Sequence, residues 1–188
     1  MKLTVLFSSL ASYTVAFFRH LAKDHGWRVQ LIYHQTKVDA PYKPFDLSFC
    51  EQVIEVNDRD RAQSFNRVLG FGPECVLMCS WDFGDFMRIC KKLRRNGVYV
   101  VSTMDNQWHG TAKQWAGVIS SRIYLKPSID TFLVAGDRQA QFAARLGYPD
   151  VMYGYYSADI ARFIAPTIDT HSRSGFLFVG RLIEHLKK

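Results

Sequence analysis

The sequence predicts an α/β fold in which a Rossmann-like parallel sheet carries helices on both faces. Short apolar runs rich in β-branched and aromatic residues alternate with amphipathic helical segments, a pattern typical of parallel sheets covered by helices. Of the 188 residues, 48% are hydrophobic and 14% aromatic, which is enough for a packed core. The length fits one domain, or one domain and part of a second.

The first half of the chain contains four predicted strands. The helix after the first strand places Val15, Phe18 and Leu21 on one face and ends at Gly26. Prolines interrupt the segment after the second strand, which therefore reads as a loop. We expect strands at 3–7, 29–33, 52–56 and 75–79, helices at 14–25 and 58–69, and a loop at 34–48.

The helix after the fourth strand has the clearest pattern. Asp82 and Asp85 lie near its N-terminus and Arg94 near its C-terminus, as the helix dipole favours, and Gly97 ends it. Its apolar stripe consists of Phe83, Phe86, Met87, Cys90 and Leu93. Beyond it we expect strands at 98–103, 131–134 and 151–153, a polar loop and helix from 105 to about 121, and a helix at 137–146.

The last residues predict the start of a second domain. A polar linker at 167–174 precedes an apolar strand at 175–180, and a single strand with its turn cannot bury its own apolar surface. We therefore expect an N-terminal domain at 1–166 and an incomplete second domain at 167–188. The alternative is a last helix that folds back onto the first domain.

Composition narrows the class of protein. The four cysteines, Cys50, Cys75, Cys79 and Cys90, have neither C-x-x-C spacing nor the density of a disulfide scaffold, so free thiols in a reducing cytoplasm are expected. The net charge of +7 suggests an anionic partner, although solubility alone also explains it. No signal peptide and no membrane-spanning segment is predicted.

The loop after the first strand, residues 8–13, contains no glycine. A dinucleotide site needs G-x-G-x-x-G there, and no G-x-x-x-x-G-K-[ST] motif for a phosphate-binding loop occurs either. The hydroxyls of Ser9 and Ser12 are candidate substrate-binding groups. The histidines have no metal-ligand spacing among themselves or with the cysteines, so neither a metal nor a cofactor is predicted.

The loop after the fifth strand, residues 103–111, is the segment richest in binding chemistry. Asp105 and His109 are candidate catalytic acid or base residues, and Asn106 and Trp108 are candidates for hydrogen bonding and stacking with a sugar. In the alternative interpretation, Asp105 or Asn106 caps the following helix and Trp108 fills the core.

Basic residues give the helix at 82–97 a charged outer face. This face is either simply solvated or attracts anionic lipid headgroups in a peripheral membrane contact. No recognised nucleic-acid-binding module accompanies the charge, so no nucleic acid is expected. The residues concerned are Arg88, Lys91, Lys92, Arg94 and Arg95.

Three segments in this order resemble the group 1 (family 4) retaining glycosyltransferases, which have two Rossmann-like domains facing a cleft. Residues 146–149 (LGYP) resemble the helix end before a short strand in that family. Asp159 and Phe163 stand four apart, as in the family's G-V-D-x-x-x-F segment. Residues 176–182 (FLFVGRL) are similar to the strand and turn that open the family's donor domain.

The resemblance implies an acceptor-side domain of an enzyme of polysaccharide biosynthesis, cytoplasmic or at the inner membrane face. Such an enzyme transfers a hexose-type sugar from a nucleotide sugar to a glycan or lipid-linked acceptor. Arg181 matches an arginine that helps bind the donor diphosphate. Because the family's donor-domain carboxylate pair lies beyond Lys188, we expect this chain alone to be inactive.

The chain also departs from the family pattern. Leu186 stands where the family usually has a lysine, Asp105 aligns with a common histidine, and the first loop lacks glycines. Three alternatives remain: a non-catalytic flavodoxin-like docking domain, a different nucleotide-using enzyme such as a dehydrogenase, and a degenerate or truncated transferase. The missing glycine fingerprint argues against a dehydrogenase.

Overall fold

The computed structural model describes residues 1–34, 45–56 and 61–155, with side chains of 61–65 excepted. The strands are β1 (Lys2–Phe7), β2 (Arg28–His34), β3 (Gln52–Val56), β4 (Cys75–Met78), β5 (Tyr99–Met104), β6 (Thr131–Val134) and β7 (Met152–Tyr153). The helices are α1 (Ser12–Asp24), α2 (Arg61–Phe71), α3 (Gly84–Arg95), α4 (Ala112–Tyr124) and α5 (Asp137–Arg145).

The seven strands form one sheet in the order β3-β2-β1-β4-β5-β6-β7, and every neighbouring pair is parallel. The predicted α/β parallel sheet is therefore confirmed. β3 and β6 have the predicted bounds, and the other described elements shift by a few residues. In the segment predicted as a loop and helix from 105 to about 121, residues 105–111 form the loop and α4 continues to Tyr124.

Helices cover both faces of the sheet because alternate strand residues point to opposite sides. Leu3, Val5 and Phe7 of β1 belong to one apolar cluster, together with Phe18 of α1. Leu6, between them in sequence, belongs to a second cluster on the other face. Side chains of α2, α3 and α5 complete that second cluster.

Among the helices of the second face, α3 buries the most described side chains, and its predicted stripe is confirmed except at Phe83, which is half-buried and precedes the helix as its N-cap; Ile89 is buried although it was not predicted. The buried residues of α3 are Phe86, Met87, Ile89, Cys90 and Leu93. A side-chain ion pair fixes its C-terminal end, where Arg94 Nε lies 2.7 Å from Asp130 Oδ1, and Asp130 Oδ2 accepts the Val100 amide at 2.8 Å. α3 is therefore held on the sheet by apolar burial and by the hydrogen bonds that Asp130 accepts from Arg94 and Val100, which we call the Asp130 bridge.

Other predictions have mixed outcomes. All four cysteines are free, as expected, although only Cys90 is fully buried. Within the described residues, none of the helices has the length and hydropathy that spanning a bilayer requires. The loop predicted at 34–48 is described only in part. The linker and strand predicted at 167–180, and with them the domain boundary, lie outside the described residues.

Candidate functional site

A cavity of about 410 Å³ opens at the carboxyl edge of the sheet, where α/β proteins bind their ligands. It lies between the segment after β4, the loop after β5, and helices α4 and α5. Its polar wall is formed by Asp82, Asn106, His109, Lys113 and Gln114. Its apolar wall is formed by Trp81, Leu125, Phe142 and Leu146.

Gln114 of α4 holds the loop that shapes this cavity. Its side-chain oxygen accepts the His109 amide at 2.7 Å, and its side-chain nitrogen donates to the Gln107 carbonyl at 2.7 Å. Gly110 adopts φ +69°, a left-handed conformation that non-glycine residues rarely take, and this allows the chain to turn into α4. The loop is thus held from the helix that follows it.

The cap of α4 is Thr111, whose hydroxyl accepts the Gln114 amide at 3.3 Å. The alternative interpretation, in which Asp105 or Asn106 caps this helix, is therefore wrong. The helix begins later in sequence than that interpretation required. As a result, Asn106 is not used by the helix terminus and stands on the cavity wall instead.

Two polar side chains on the cavity wall are not used by the fold. The side chains of Asn106 and His109 make no hydrogen bond to any other residue that the structure describes. Both are exposed, and both line the cavity. An amide and an imidazole can each donate and accept hydrogen bonds, as recognition of a hydroxyl group requires.

The apolar wall is built from the core. The Trp81 ring packs edge-on against Phe132 at 5.3 Å and Phe142 at 6.3 Å. The Tyr124 hydroxyl donates to the Trp81 carbonyl at 3.4 Å, which ties the end of α4 to the segment after β4. This wall is therefore pre-formed, while the side chains of Asn106 and His109 remain available to a ligand.

Trp108 is half-buried and packs against the core, so the alternative interpretation that it fills the core is correct in part. Its ring lies 5.4 Å from Phe142 and 5.2 Å from Trp115, and the Arg145 guanidinium lies 4.9 Å from its centroid. Because protein groups surround the ring, little of its face is open for stacking. Trp108 and His109 also line a second, polar concavity of about 270 Å³. Binding of a sugar by Trp108 stays a prediction.

The other predicted site residues are not brought together with this cavity. Asp105 is exposed and does not line it, and its carbonyl accepts the Gln139 side-chain amide at 2.9 Å. Ser9 and Ser12 are exposed in and after the β1–α1 loop, and neither lines the cavity. Arg181 lies outside the described residues.

The point where the strand order reverses, between β1 and β4, is packed. The Thr103 hydroxyl donates to the Cys79 carbonyl at 2.6 Å, and the Cys79 thiol lies 3.8 Å from the Ser8 hydroxyl. Burial raises the pKa of the Cys79 thiol and of the Tyr155 phenol. On the α1 side, Tyr155 borders a gap of only about 10 Å³. Among the described residues, the usual nucleotide position of a Rossmann-like sheet is thus narrow.

Sequence reasoning missed several residues of the cavity. Lys113, Gly117, Ser120 and Tyr124 line it from α4 and follow helical spacing, so a polar and small-residue stripe could have indicated them. Trp81 gave no comparable signal, since its position depends on packing against the core. Among residues the structure describes, no group of three or more His, Cys, Asp or Glu could hold a metal ion.

No protein-family model matches the chain, and no curated protein sequence matches it. One similar solved structure is a wide-type short-chain dehydrogenase/reductase from Veillonella parvula DSM 2008 in complex with NADP. It has 15% identity and a TM-score of 0.40, and the match covers 81% of this chain and 66% of that one. Another is the biotin carboxylase subunit of pyruvate carboxylase. It has 10% identity and a TM-score of 0.32, and the match covers 52% of this chain and 22% of that one.

The chain thus spans less than two thirds of the length of each of these two structures. Identities of 15% and 10%, with TM-scores below 0.5, carry no argument about the activity or the ligand of this chain. The chemistry of the cavity is the stronger guide to its ligand.

Proposed function

We propose that this chain is the acceptor-side domain of a glycosyltransferase, and that the acceptor sugar binds in the cavity between α4 and α5. The observation that carries the proposal is the pair of side chains, Asn106 and His109, that face the cavity and bond to no other described residue. Opposite them stands a pre-formed aromatic wall of Trp81 and Phe142.

This combination suits a carbohydrate better than a nucleotide. Sugars present hydroxyls at their edges and apolar C–H groups on their faces, which amide and imidazole groups and aromatic rings respectively complement. The volume of about 410 Å³ is in the range of small-molecule sites. A nucleotide bound at the reversal point of the strand order would instead meet the packed Cys79 and Thr103.

In the proposed reaction, the oxygen of an acceptor hydroxyl forms a bond to the sugar's anomeric carbon while the bond from that carbon to the donor diphosphate breaks; the diphosphate leaves with the bonding electrons, and the hydroxyl proton passes to His109. His109 is the one predicted acid or base residue on the cavity wall, so we assign it the hydrogen bond to the reacting hydroxyl. Asp105 is not given this role, since it does not line the cavity. Arg181 keeps its proposed contact with the donor diphosphate.

The proposal is tested by thermal denaturation of the chain with mono- and disaccharides, with a short-chain lipid-phosphate glycoside, and with UDP, GDP, NAD and ATP. A ligand that binds the folded state raises the melting temperature by mass action. We expect saccharides or the glycoside to raise it and NAD and ATP to leave it unchanged. Stabilisation by NAD or ATP without any by saccharides would overturn the proposal.

A matched pair of variants locates the binding. Asn106→Ala and His109→Ala are each expected to weaken saccharide affinity about tenfold, because each removes a hydrogen bond to a hydroxyl. Asn96→Ala, an exposed asparagine at the end of α3, is the control and is expected to bind as the unmodified chain does. Equal affinity in all three variants would exclude this cavity as the binding site.

A further inference from the structure

The outer face of α4 carries an apolar stripe that is largely exposed, and its one ring contact with another described residue is that of Trp115, 5.2 Å from the Trp108 ring. The stripe consists of Trp115, Ile119 and Ile123, and we call it the α4 stripe. These side chains are 51%, 78% and 83% exposed. Their spacing of four residues aligns them along one side of the helix.

The distribution of residues on α4 is the reverse of an ordinary surface helix, whose apolar side faces the core. The only buried residue of α4 is Ser121. The side facing the sheet supplies Gln114, Gly117 and Ser120 to the cavity, while the large apolar side chains face outward. Two isoleucines at such exposure indicate an interaction surface.

The surroundings of the stripe are basic. Residues 112–126 contain Lys113, Arg122 and Lys126 but no acidic residue. Arg122 is exposed and makes no hydrogen bond or ion pair with another described residue. Lys126 is engaged by the Gly147 carbonyl and by the Tyr148 ring, whose centroid is 3.9 Å from its Nζ.

The neighbouring helix α3 adds to this charge. Its Arg88, Lys91, Lys92 and Arg95 are all exposed. α3 and α4 cover the same face of the sheet, and the bond from the Tyr124 hydroxyl to the Trp81 carbonyl joins the end of α4 to the segment that leads into α3. α3 therefore adds four exposed basic residues to the layer of helices that contains α4, and one of them, Arg88, also pairs with Asp85 at 3.4 Å.

We propose that α4 docks on an anionic lipid surface, with the α4 stripe inserted below the headgroups and Arg122 at headgroup level. An interfacial helix combines an apolar face that contains Trp with basic residues beside it, as α4 does. Anionic headgroups complement the bases of α4 and α3. The docking does not depend on which ligand the cavity binds.

A second copy of the chain is a poorer occupant. In a two-fold dimer the same patch meets itself, so the basic residues of two α4 helices would face each other with no acid on either helix to pair them. A stripe of three side chains is also small beside the roughly 800 Å² per partner of a standard protein interface. A lipid surface avoids both problems, because its anionic headgroups pair with the basic residues and because insertion of a few apolar side chains does not need a large protein interface.

The docking has a consequence for the cavity, which rests on the proposed function. The side of α4 opposite the stripe lines the cavity, so a helix lying in the interface sets the cavity about 10 Å behind it, one helix diameter. A sugar attached to a membrane lipid could reach the cavity from there. The proposed acceptor would then be a lipid-linked saccharide.

Flotation of the full chain with vesicles tests the docking. We expect binding to phosphatidylcholine vesicles that contain phosphatidylglycerol, and weaker binding to phosphatidylcholine alone. Ile119→Ser/Ile123→Ser should lower the partition coefficient roughly tenfold or more through loss of apolar burial. Arg122→Glu should lower it about fivefold or more through loss of headgroup attraction.

The matched control removes exposed apolar residues elsewhere. Tyr99 and Met152 are 49% and 51% exposed on the sheet, close to the value of Trp115. Tyr99→Ser/Met152→Ser is expected to float like the unmodified chain. Tryptophan emission should shift to the blue with anionic vesicles, and Trp115→Phe should remove the shift. The melting temperature of each variant checks that it is folded.

Three outcomes would overturn the proposal. The first is equal flotation of the unmodified chain and Ile119→Ser/Ile123→Ser. The second is a lipid-free dimer, detected by light scattering, that this double variant abolishes, since the stripe would then be a protein interface. The third is complete shielding of Trp115 from acrylamide before lipid is added, beyond what its contact with Trp108 provides, which would indicate that the stripe is already covered. Saccharide binding is measured separately, so failure of docking leaves the proposed function standing.

Discussion

Helices α3 and α4 have nearly the same length and follow neighbouring strands, yet they relate to the core in opposite ways. α3 buries five large or sulfur-containing side chains, whereas α4 buries only Ser121. Ile89 of α3 is 8% exposed, and Ile119 of α4 is 78% exposed. The same residue type thus holds the fold in one helix and faces outward in the other.

The difference shows how the chain separates stability from binding. α3 is held by apolar burial, the dominant stabilising contribution in folding. α4 is held by polar bonds: two local ones, the Thr111 cap and the Gln114 bridge to the loop, and one long-range bond from the Tyr124 hydroxyl to the Trp81 carbonyl. A helix that gives little to the core is free to line a cavity on one side and meet a partner on the other.

The largest expected effect compares the two isoleucines directly. Ile89→Ala should lower the free energy of unfolding by about 2–5 kcal/mol, because it leaves a cavity in the core. Ile119→Ala, the matched control, should change it by no more than about 0.5 kcal/mol. Urea denaturation followed by circular dichroism measures both. Similar losses in the two variants would mean that α4 is packed as α3 is.

A smaller effect on stability is expected at the Asp130 bridge, which links the C-terminal end of α3 to β5. Asp130→Ala leaves the Val100 amide and the Arg94 guanidinium without their acceptor, and should cost about 1–3 kcal/mol. Asp130→Asn retains one acceptor oxygen and should cost less. The same denaturation experiment ranks the two variants. No loss in Asp130→Ala would show that burial alone holds α3.

The smallest effect is expected at the cap of α4. Thr111→Ala removes the hydroxyl that accepts the Gln114 amide and should cost about 1 kcal/mol. Thr111→Ser keeps the hydroxyl and serves as the control. Amide hydrogen exchange should show faster opening of the first turn of α4 in Thr111→Ala alone. Unchanged exchange would falsify the view that the Thr111 cap holds the first turn of α4.

The sequence predicted α3 well and the function of α4 poorly, for a physical reason. The apolar stripe of α3 repeats with helical spacing, and a buried stripe is what that spacing normally means. Ile119 and Ile123 follow the same spacing, but only the packing shows that they face outward. Helical spacing therefore identifies an apolar face of a helix, but it does not show whether that face packs against the core or is exposed.

The candidate site was predicted in part. Asn106 and His109, chosen from the loop after β5, line the cavity, whereas Asp105, Ser9 and Ser12 do not. All these residues follow strand ends at one edge of the sheet. The cavity lies on the face covered by α3 and α5, while Ser9 and Ser12 lead into α1 on the opposite face. The position of a residue in the sequence predicts at which edge of the sheet it lies, but only the packing of the helices decides on which face of the sheet the cavity forms.

By itself, the sequence determined the α/β class, the order of the elements and the free state of the cysteines, because hydrophobic periodicity, glycine stops and cysteine spacing are local signals. The tertiary structure alone decided the strand order, the outward direction of the α4 stripe and the union of Trp81 with His109 in one cavity. These features depend on contacts between residues far apart in the chain, which no local pattern records.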